Sequence, residues 1–211
     1  MTAETPAMDP AAQEHLEESG HDTQRGGMDT ALLGMMLFIA SEVMFFAALF
    51  AAYFNARATL PVFPPEGTEF IDPIGLPLFV TILLITSSFT MQWATGRIRA
   101  GDRTGLNRGI AITLIIGIVF LFLQLYDYSV LILEDDFGID SGVYGTLFYT
   151  LTGFHGAHVL GGVIGLSVIL ARGLQGQFSR KHHVAVEAVH YYWHFVDVVW
   201  VLLFLVIYVI K

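Results

Sequence analysis

The sequence predicts an all-α, polytopic membrane protein in which five transmembrane helices form a bundle. Of its 211 residues, 55% are hydrophobic and only 14% are charged, a mixture too apolar for a soluble domain. Five long apolar stretches follow one another, and each is long enough to cross a bilayer as a helix. Segments rich in proline, glycine or charged residues separate these stretches and mark the loops.

The chain divides into an N-terminal tail and one membrane domain. Residues 1–29 are polar and acidic, and we expect a flexible tail because this composition cannot bury enough apolar surface to order itself. Residues 30–211 are expected to form the five-helix transmembrane domain. Its spans are predicted at about 31–54, 74–95, 109–133, 144–171 and 184–210.

Composition also excludes several function classes. The chain has no cysteine, which rules out disulfides, thiol catalysis and thiolate metal sites. The net charge of −9 comes largely from the tail and two loops, so it says little about the buried part. No basic patch is present on which nucleic-acid binding could rest.

The first span carries a single charge, Glu42, within an apolar stripe. At a rise of ~1.5 Å per residue, this carboxyl group lies near the middle of the membrane. No lysine or arginine occurs at that depth in any span. We therefore expect Glu42 to hydrogen-bond a histidine, either His158 or a histidine of the fifth span.

The second span has no charged residue but presents hydroxyl and amide side chains on one face. These are Thr81, Ser88, Gln92 and Thr95. Such groups commonly hydrogen-bond across membrane helices. The segment that follows, GRIRAGDRTGLNR, is predicted to be a short basic loop.

The third and fourth spans contribute further polar groups. Gln124 and Asp127 share one face near the far end of the third span, whereas His155 and His158 lie three residues apart in the fourth. Ionisable residues at membrane depth are costly to insert and normally point towards other helices or a cavity. We therefore expect these side chains to face the bundle interior.

The fifth span carries four ionisable residues, Glu187, His190, His194 and Asp197, which we call the polar seam. Their spacings of three, four and three place them along one face of the helix. The seam must meet polar partners on another helix or in a partner protein.

The distribution of basic residues predicts the orientation. The tail and the second and fourth loops hold most of the basic residues, which are Arg25, Arg97, Arg99, Arg103, Arg108, Arg172, Arg180 and Lys181. The other side holds only Arg57 and Lys211. The positive-inside rule then puts the N-terminus in the cytoplasm and the C-terminus outside.

Three interpretations of the intramembrane polar groups remain open from the residues alone. They could bond one another across helices and fix the bundle. They could ligate a metal or haem, since His190 with His194, His155 with His158, and Glu187 with His190 all have ligand-like spacing. They could also exchange protons, although no continuous path joins the two membrane faces.

Three sequence stretches resemble subunit III of haem-copper respiratory oxidases, the cytochrome c oxidase subunit III family. They are SEVMFF with Glu42, SGVYGTLFYTLTGFHGAHVLGG with its two histidines, and HHVAVEAVHYYWHFVDVVW. Asp127, after Gln124, stands where that family usually has a carboxylate. The resemblance covers all five spans in order. Many members carry two further N-terminal helices, and this chain starts where their third helix would. It therefore resembles the five-helix bacterial form.

The resemblance implies a non-redox subunit of a proton-pumping cytochrome c oxidase, which reduces oxygen to water in aerobic respiration. The chain would be part of an enzyme without being catalytic itself, and would support proton uptake and the lipid environment of catalytic subunit I. Haem and copper would belong to partner subunits, while phospholipid would bind this chain. Its place would be the bacterial plasma membrane, among subunit I, other oxidase subunits and lipids.

No catalytic, cofactor-binding or metal-binding residue is expected. The expected buried polar and proton-related residues are Glu42, Asp127, His155, His158, Glu187, His190, His194 and Asp197. One alternative is subunit III of a quinol oxidase, although Glu rather than Asp in SEVMFF favours the cytochrome c type. An alternative of a different class is a stand-alone membrane metalloenzyme that uses histidines and carboxylates.

Overall fold

The computed structural model describes residues 29–64 and 73–210, and within them every regular element is helical. The helices are α1 Thr30–Thr59, α2 Leu76–Arg99, α3 Arg103–Leu133, α4 Gly142–Leu174 and α5 Val184–Leu203, and α5 continues as a π-helix over Phe204–Val209. All five are long and apolar enough to span a membrane. The prediction of an all-α membrane protein with five transmembrane helices is confirmed.

The helix limits differ most from the predicted spans around the basic segment. The predicted loop between the second and third spans is largely helical, and only residues 100–102 connect α2 to α3. Asp102 caps α3 by accepting a hydrogen bond from the Gly105 N–H at 2.8 Å. Gly101 makes the turn with a φ of +88°, which glycine adopts without strain. Arginine is a good helix former, so the helices continue through the basic residues.

Helix α5 occupies the centre of the bundle. It packs against α1, α2 and α4, while α3 packs against α2 and α4. Of the most apolar stretch of each helix, 56% of the residues are buried in α5 but only 6% in α1. Helix α1 therefore lies at the edge of the bundle.

Close approach of α3, α4 and α5 depends on glycine. Gly117 of α3 and Gly162 of α4 both face the ring of Trp193 on α5, which is fully buried. A Cβ atom at Gly162 would lie 2.7 Å from two atoms of that ring. The small residues of the fourth span thus make room for an aromatic side chain of the fifth.

The second and fourth helices end, and the third and fifth begin, at one end of the bundle, which we call the basic end. Arg99 at the end of α2 bonds Glu187 in the first turn of α5. Asn107 of α3 lies against Gly173 of α4. At the opposite end, Arg57 donates a hydrogen bond to the Ile210 carbonyl at 3.1 Å and ties α1 to the end of the π-helix.

Candidate functional site

The polar seam of α5 lies against α2, and side chains of the two antiparallel helices bond along most of their length. Near the opposite end, the Trp200 indole donates to Thr81 Oγ1 at 2.9 Å. Two turns closer to the middle, the Trp193 indole donates to Ser87 Oγ at 2.9 Å. The hydroxyl face of the second span therefore supplies the partners that the fifth span requires.

Three side chains of this interface meet in the middle of the bundle. Ser88 Oγ lies 2.8 Å from His194 Nδ1 and also hydrogen-bonds Asp197 Oδ2. Asp197 is buried, with 5% of its surface exposed. Its second oxygen, Oδ1, is buried and has no hydrogen-bond partner within the part of the chain that the structure describes. This arrangement is not that of a hydrolytic triad, because the serine bridges the two other groups instead of facing an open cleft.

Two more seam residues connect this group to the basic end. His190 Nδ1 lies 3.2 Å from Thr95 Oγ1, and its ring stands edge-on to that of His194 with 4.3 Å between the ring centroids. Glu187 Oε1 accepts a hydrogen bond from Arg99 Nη2 at 2.9 Å. The four residues of the seam therefore form one line from the helix start to mid-bundle.

Glu42 does not join the seam but pairs with His158 across α1 and α4. His158 Nε2 lies 3.0 Å from Glu42 Oε2, and His158 Nδ1 lies 2.7 Å from the Phe154 carbonyl oxygen. Tyr192 of α5 donates to the His158 carbonyl at 3.0 Å. Both side chains of the pair are largely covered, with 21% of Glu42 and 15% of His158 exposed.

His155 and His158 point in different directions despite their close spacing. The His155 ring is fully buried and packs against Phe120 and Trp200, with centroid distances of 5.7 and 4.9 Å. Within the described residues neither of its ring nitrogens has a hydrogen-bond partner. The two histidines therefore do not form a joint ligand pair.

Asp127 lies apart from the other candidates, near the opposite end of the bundle. It lines a cavity of about 10 Å³, room for roughly one water molecule, together with Tyr128 and Tyr208. Its neighbour Gln124 donates to the Thr152 carbonyl at 2.8 Å. Gln124 lines the same cavity, so the shared face of Gln124 and Asp127 meets one small polar pocket.

Within residues 29–64 and 73–210, no group of three or more histidine and carboxylate side chains is arranged to hold a metal ion. The ligand-like pairs separate, because Glu187 bonds Arg99 while His190 bonds Thr95. His158 and His194 are engaged by Glu42 and Ser88. The arrangement links helices through hydrogen bonds between groups that can bind protons.

The sequence predicts the polar seam but does not identify two of its hydrogen-bonding partners on α2. The sequence places Ser88 only on a polar face, and it predicts a loop at Arg99 where the structure has the end of α2. The spacing of seven between Thr81, Ser88 and Thr95 was the available signal, since it repeats one face every two turns. Aligning these three positions with the tryptophans and histidines of the fifth span would have predicted that the two helices pack together.

Comparisons with known proteins place this geometry in context. The family model described as Cytochrome c oxidase subunit III matches residues 14–211, which include all five helices and part of the N-terminal tail. The cytochrome c oxidase subunit 3 of Synechocystis sp. is 40% identical over 195 residues, covering 92% of this chain and 80% of the relative. The rat protein of the same name, from Rattus norvegicus, is 40% identical over 181 residues, covering 83% of this chain and 67% of the relative. That of Prototheca wickerhamii is 42% identical over 180 residues, with the same two coverages.

Proposed function

The chain belongs to the cytochrome c oxidase subunit III family, and we propose that it is the non-redox subunit of a proton-pumping oxidase that reduces oxygen to water. In this role it binds catalytic subunit I and other oxidase subunits in a bacterial plasma membrane. Haem and copper belong to those partner subunits. The chain supports their proton uptake and their lipid environment, and it performs no electron transfer of its own.

The use of the membrane histidines carries the non-redox part of this proposal. His158, His190 and His194 each bond a protein group on a different helix, and His155 packs among aromatic rings. A haem or metal ligand needs a nitrogen directed at the ion, with the other nitrogen fixed by a second group. Here His158 uses both nitrogens on protein groups, and within the described residues no three histidine or carboxylate side chains are arranged around an ion, which favours the oxidase subunit over a stand-alone metalloenzyme.

The names of the relatives favour cytochrome c over quinol as electron donor of the complex. The proteins from Synechocystis, rat and Prototheca are all called cytochrome c oxidase subunit 3. The Synechocystis protein, which is cyanobacterial, also supports a bacterial membrane as the location.

The arrangement of charges supports an orientation with the basic end in the cytoplasm. That end gathers most of the basic residues of the described ranges, which are Arg97, Arg99, Arg103, Arg108, Arg172, Arg180 and Lys181. The positive-inside rule relates such an excess to the cytoplasmic side. An odd number of spans then leaves the C-terminus outside.

A groove between α3 and α4 supports a lipid-binding role. It has a volume of about 300 Å³ and is walled mainly by apolar groups, among them Leu121, Leu125 and Leu160. On the α4 side, Gly153, Gly156 and Ala157 also line the groove, so three of the four α4 residues there are small. An acyl chain of a phospholipid fits the apolar character of this surface.

Purification from the native membrane tests the proposed function. The full chain with an affinity tag is extracted in mild detergent, and a strain with the untagged chain serves as control. We expect subunit I to copurify, together with haem absorbance and copper that remain with the partner subunits when the subunits are separated. Recovery of the tagged chain without oxidase subunits, or with about one iron or copper retained per chain, would reject the proposal.

A further inference from the structure

We propose that Ser88, His194 and Asp197 form a proton-exchange site in the interior of the membrane, reached from the basic end through Glu187 and His190. The inference deepens the proposed function, because it assigns a location to the support of proton uptake. Ser88 lies between His194 Nδ1 and Asp197 Oδ2 and contacts both.

The single hydroxyl proton of Ser88 links the states of its two neighbours. When Ser88 donates to Asp197, its oxygen can accept only from a protonated His194 Nδ1. When Ser88 donates to an unprotonated His194 Nδ1, it must accept from a protonated Asp197. The contacts therefore permit two arrangements that differ in where the protons lie.

The exchange step balances without any co-reactant. A proton that arrives at His194 Nε2 converts the ring to the imidazolium form, with both nitrogens protonated. The Nδ1–H bond then breaks as a new bond forms to Ser88 Oγ, while the original Ser88 O–H bond breaks and its proton joins Asp197 Oδ2. The products are a neutral histidine and a neutral carboxylic acid, so one proton has moved inward across the serine.

The seam supplies a route to this site from the basic end. Glu187 is near the surface, with 21% of its side chain exposed, and it contacts both Arg99 and His183. One turn further, the His190 ring stands edge-on to the His194 ring. From Glu187 to Asp197 the helix rises about 15 Å, so these groups lead from the surface to mid-membrane.

Titratable and charged groups on the helices packed against α5 do not displace this route. They are Glu42, Tyr53 and Arg57 on α1, Arg97 and Arg99 on α2, and Tyr144, Tyr149, His155, His158 and Arg172 on α4. Arg97 pairs with Asp102, Arg172 donates to Gln177, and Tyr149 donates to the Phe137 carbonyl. Glu42 and His158 bond each other, Tyr53 and Arg57 bond carbonyl oxygens of the π-helix and its end, and Arg99 bonds Glu187. His155 packs against Trp200.

Asp197 provides the inner terminus because its Oδ1 atom is buried without a hydrogen-bond partner in the described ranges. A polar atom left unpaired in this way costs stability, so a second proton acceptor or donor that reaches it gains a favourable contact. This open oxygen distinguishes the site from a closed structural hydrogen-bond network.

Time-resolved infrared spectroscopy after a pH jump tests the site in the protein as purified from its membrane. We expect a carboxyl C=O band that appears on acidification and is absent from Asp197→Asn. Ser88→Ala should slow the appearance of this band at least tenfold because the bridge is cut. Ser88→Thr, which keeps the hydroxyl, should restore the rate to within about twofold of the wild type.

Two matched variants serve as controls. Thr86→Ala removes a hydroxyl of α2 that bonds its own helix at Ile82, and Glu134→Gln removes an exposed carboxyl group at the end of α3. Both should leave the band and its rate unchanged. The proposal is overturned if no titrating band is lost in Asp197→Asn, or if Ser88→Ala and wild type protonate at the same rate. If Asp197→Asn fails to accumulate, the comparison of Ser88→Ala with Ser88→Thr decides. The band reports on the carboxyl itself, so this result is independent of whether oxidase subunits copurify.

Discussion

His158 Nε2 lies 3.0 Å from Glu42 Oε2, and this contact joins two helices through residues that are 116 positions apart. The other ring nitrogen, Nδ1, faces the Phe154 carbonyl oxygen, which can only accept, so Nδ1 carries a proton. Nε2 then either accepts a proton from Glu42 or shares one with its carboxylate. The pair therefore holds a proton between α1 and α4 at membrane depth.

Substitution of Glu42 should leave the initial rate of oxygen consumption little changed but speed the loss of activity during sustained turnover. Glu42→Gln can still donate to His158 Nε2, whereas Glu42→Ala leaves that nitrogen unpaired at a cost of about 1–3 kcal/mol. We expect both variants to assemble with the oxidase and to show an initial oxygen consumption close to that of the wild type. Over many turnovers activity should decline faster, more so for Ala. Oxygen consumption is recorded from the start of turnover until activity is lost, which measures both the initial rate and its decline.

An immediate loss of rate in a fully assembled Glu42→Gln complex would place Glu42 in the chemistry instead. Ser41→Ala provides the matched control in the same helix, because the Ser41 hydroxyl bonds its own backbone at Phe38. That variant should behave as the wild type in both phases.

Single cysteines should report the orientation of the bundle, since the natural chain has none. Cysteines at Thr104 and Gln175, both exposed at the basic end, should react with a membrane-impermeant thiol reagent only from the cytoplasmic side. A cysteine at Ile139, exposed in the loop between α3 and α4, should react only from outside. Labelling of Thr104→Cys and Ile139→Cys from the same side would contradict the orientation.

The sequence predicted those structural features that depend on the residues of a single helix. The five spans, the polar seam and the hydroxyl face of α2 all follow from hydropathy and from a period of 3.6 residues. Which seam residue meets which hydroxyl depends on the rotation and axial shift of two helices, and no period within one helix sets these. For the same reason the contact of Ser88 with both His194 and Asp197 required the structure.

The sequence also could not show that His155 and His158 lie in different environments. Their spacing of three is that of a ligand pair on one helix face, yet one side chain faces α3 and α5 and the other faces α1. The large Trp200 ring covers His155, and the Glu42 carboxyl binds His158. The packing of neighbouring helices, rather than local spacing, therefore determines the orientation of each imidazole.

The bond between Trp193 and Ser87 should contribute modestly to stability. Hydrogen bonds between membrane helices contribute about 0.6 kcal/mol on average in double-mutant cycles. We expect a coupling of about this size between Trp193→Phe and Ser87→Ala when the free energy of unfolding is measured in mixed micelles. Trp93→Phe with Ser87→Ala should show no coupling, because Trp93 is exposed on another face of α2. A coupling equal in both cycles would argue against the specific bond.

Gly162 should not tolerate a methyl group. A Cβ atom there would lie 2.7 Å from the Trp193 ring, which is fully buried and has no room to move away. Gly162→Ala should therefore lower the free energy of unfolding by about 1–3 kcal/mol. Gly34→Ala is the matched control, because nothing lies within 4 Å of a Cβ atom at that position of α1. It should be neutral or stabilising by up to about 1 kcal/mol, since alanine is the better helix former.

Replacement of His155 distinguishes a buried packing residue from a ligand. Both ring nitrogens lack a hydrogen-bond partner within the described residues, so His155→Leu removes two unsatisfied groups at the expense of ring contacts with Phe120 and Trp200. Removing an unsatisfied polar group in favour of an apolar one of similar size is close to neutral, and we expect a change in unfolding free energy within about 1 kcal/mol. The haem and copper content of the purified complex should stay at the wild-type ratio to protein. Loss of one metal or haem per chain, with the complex otherwise intact, would make His155 a ligand and revive the metalloenzyme alternative.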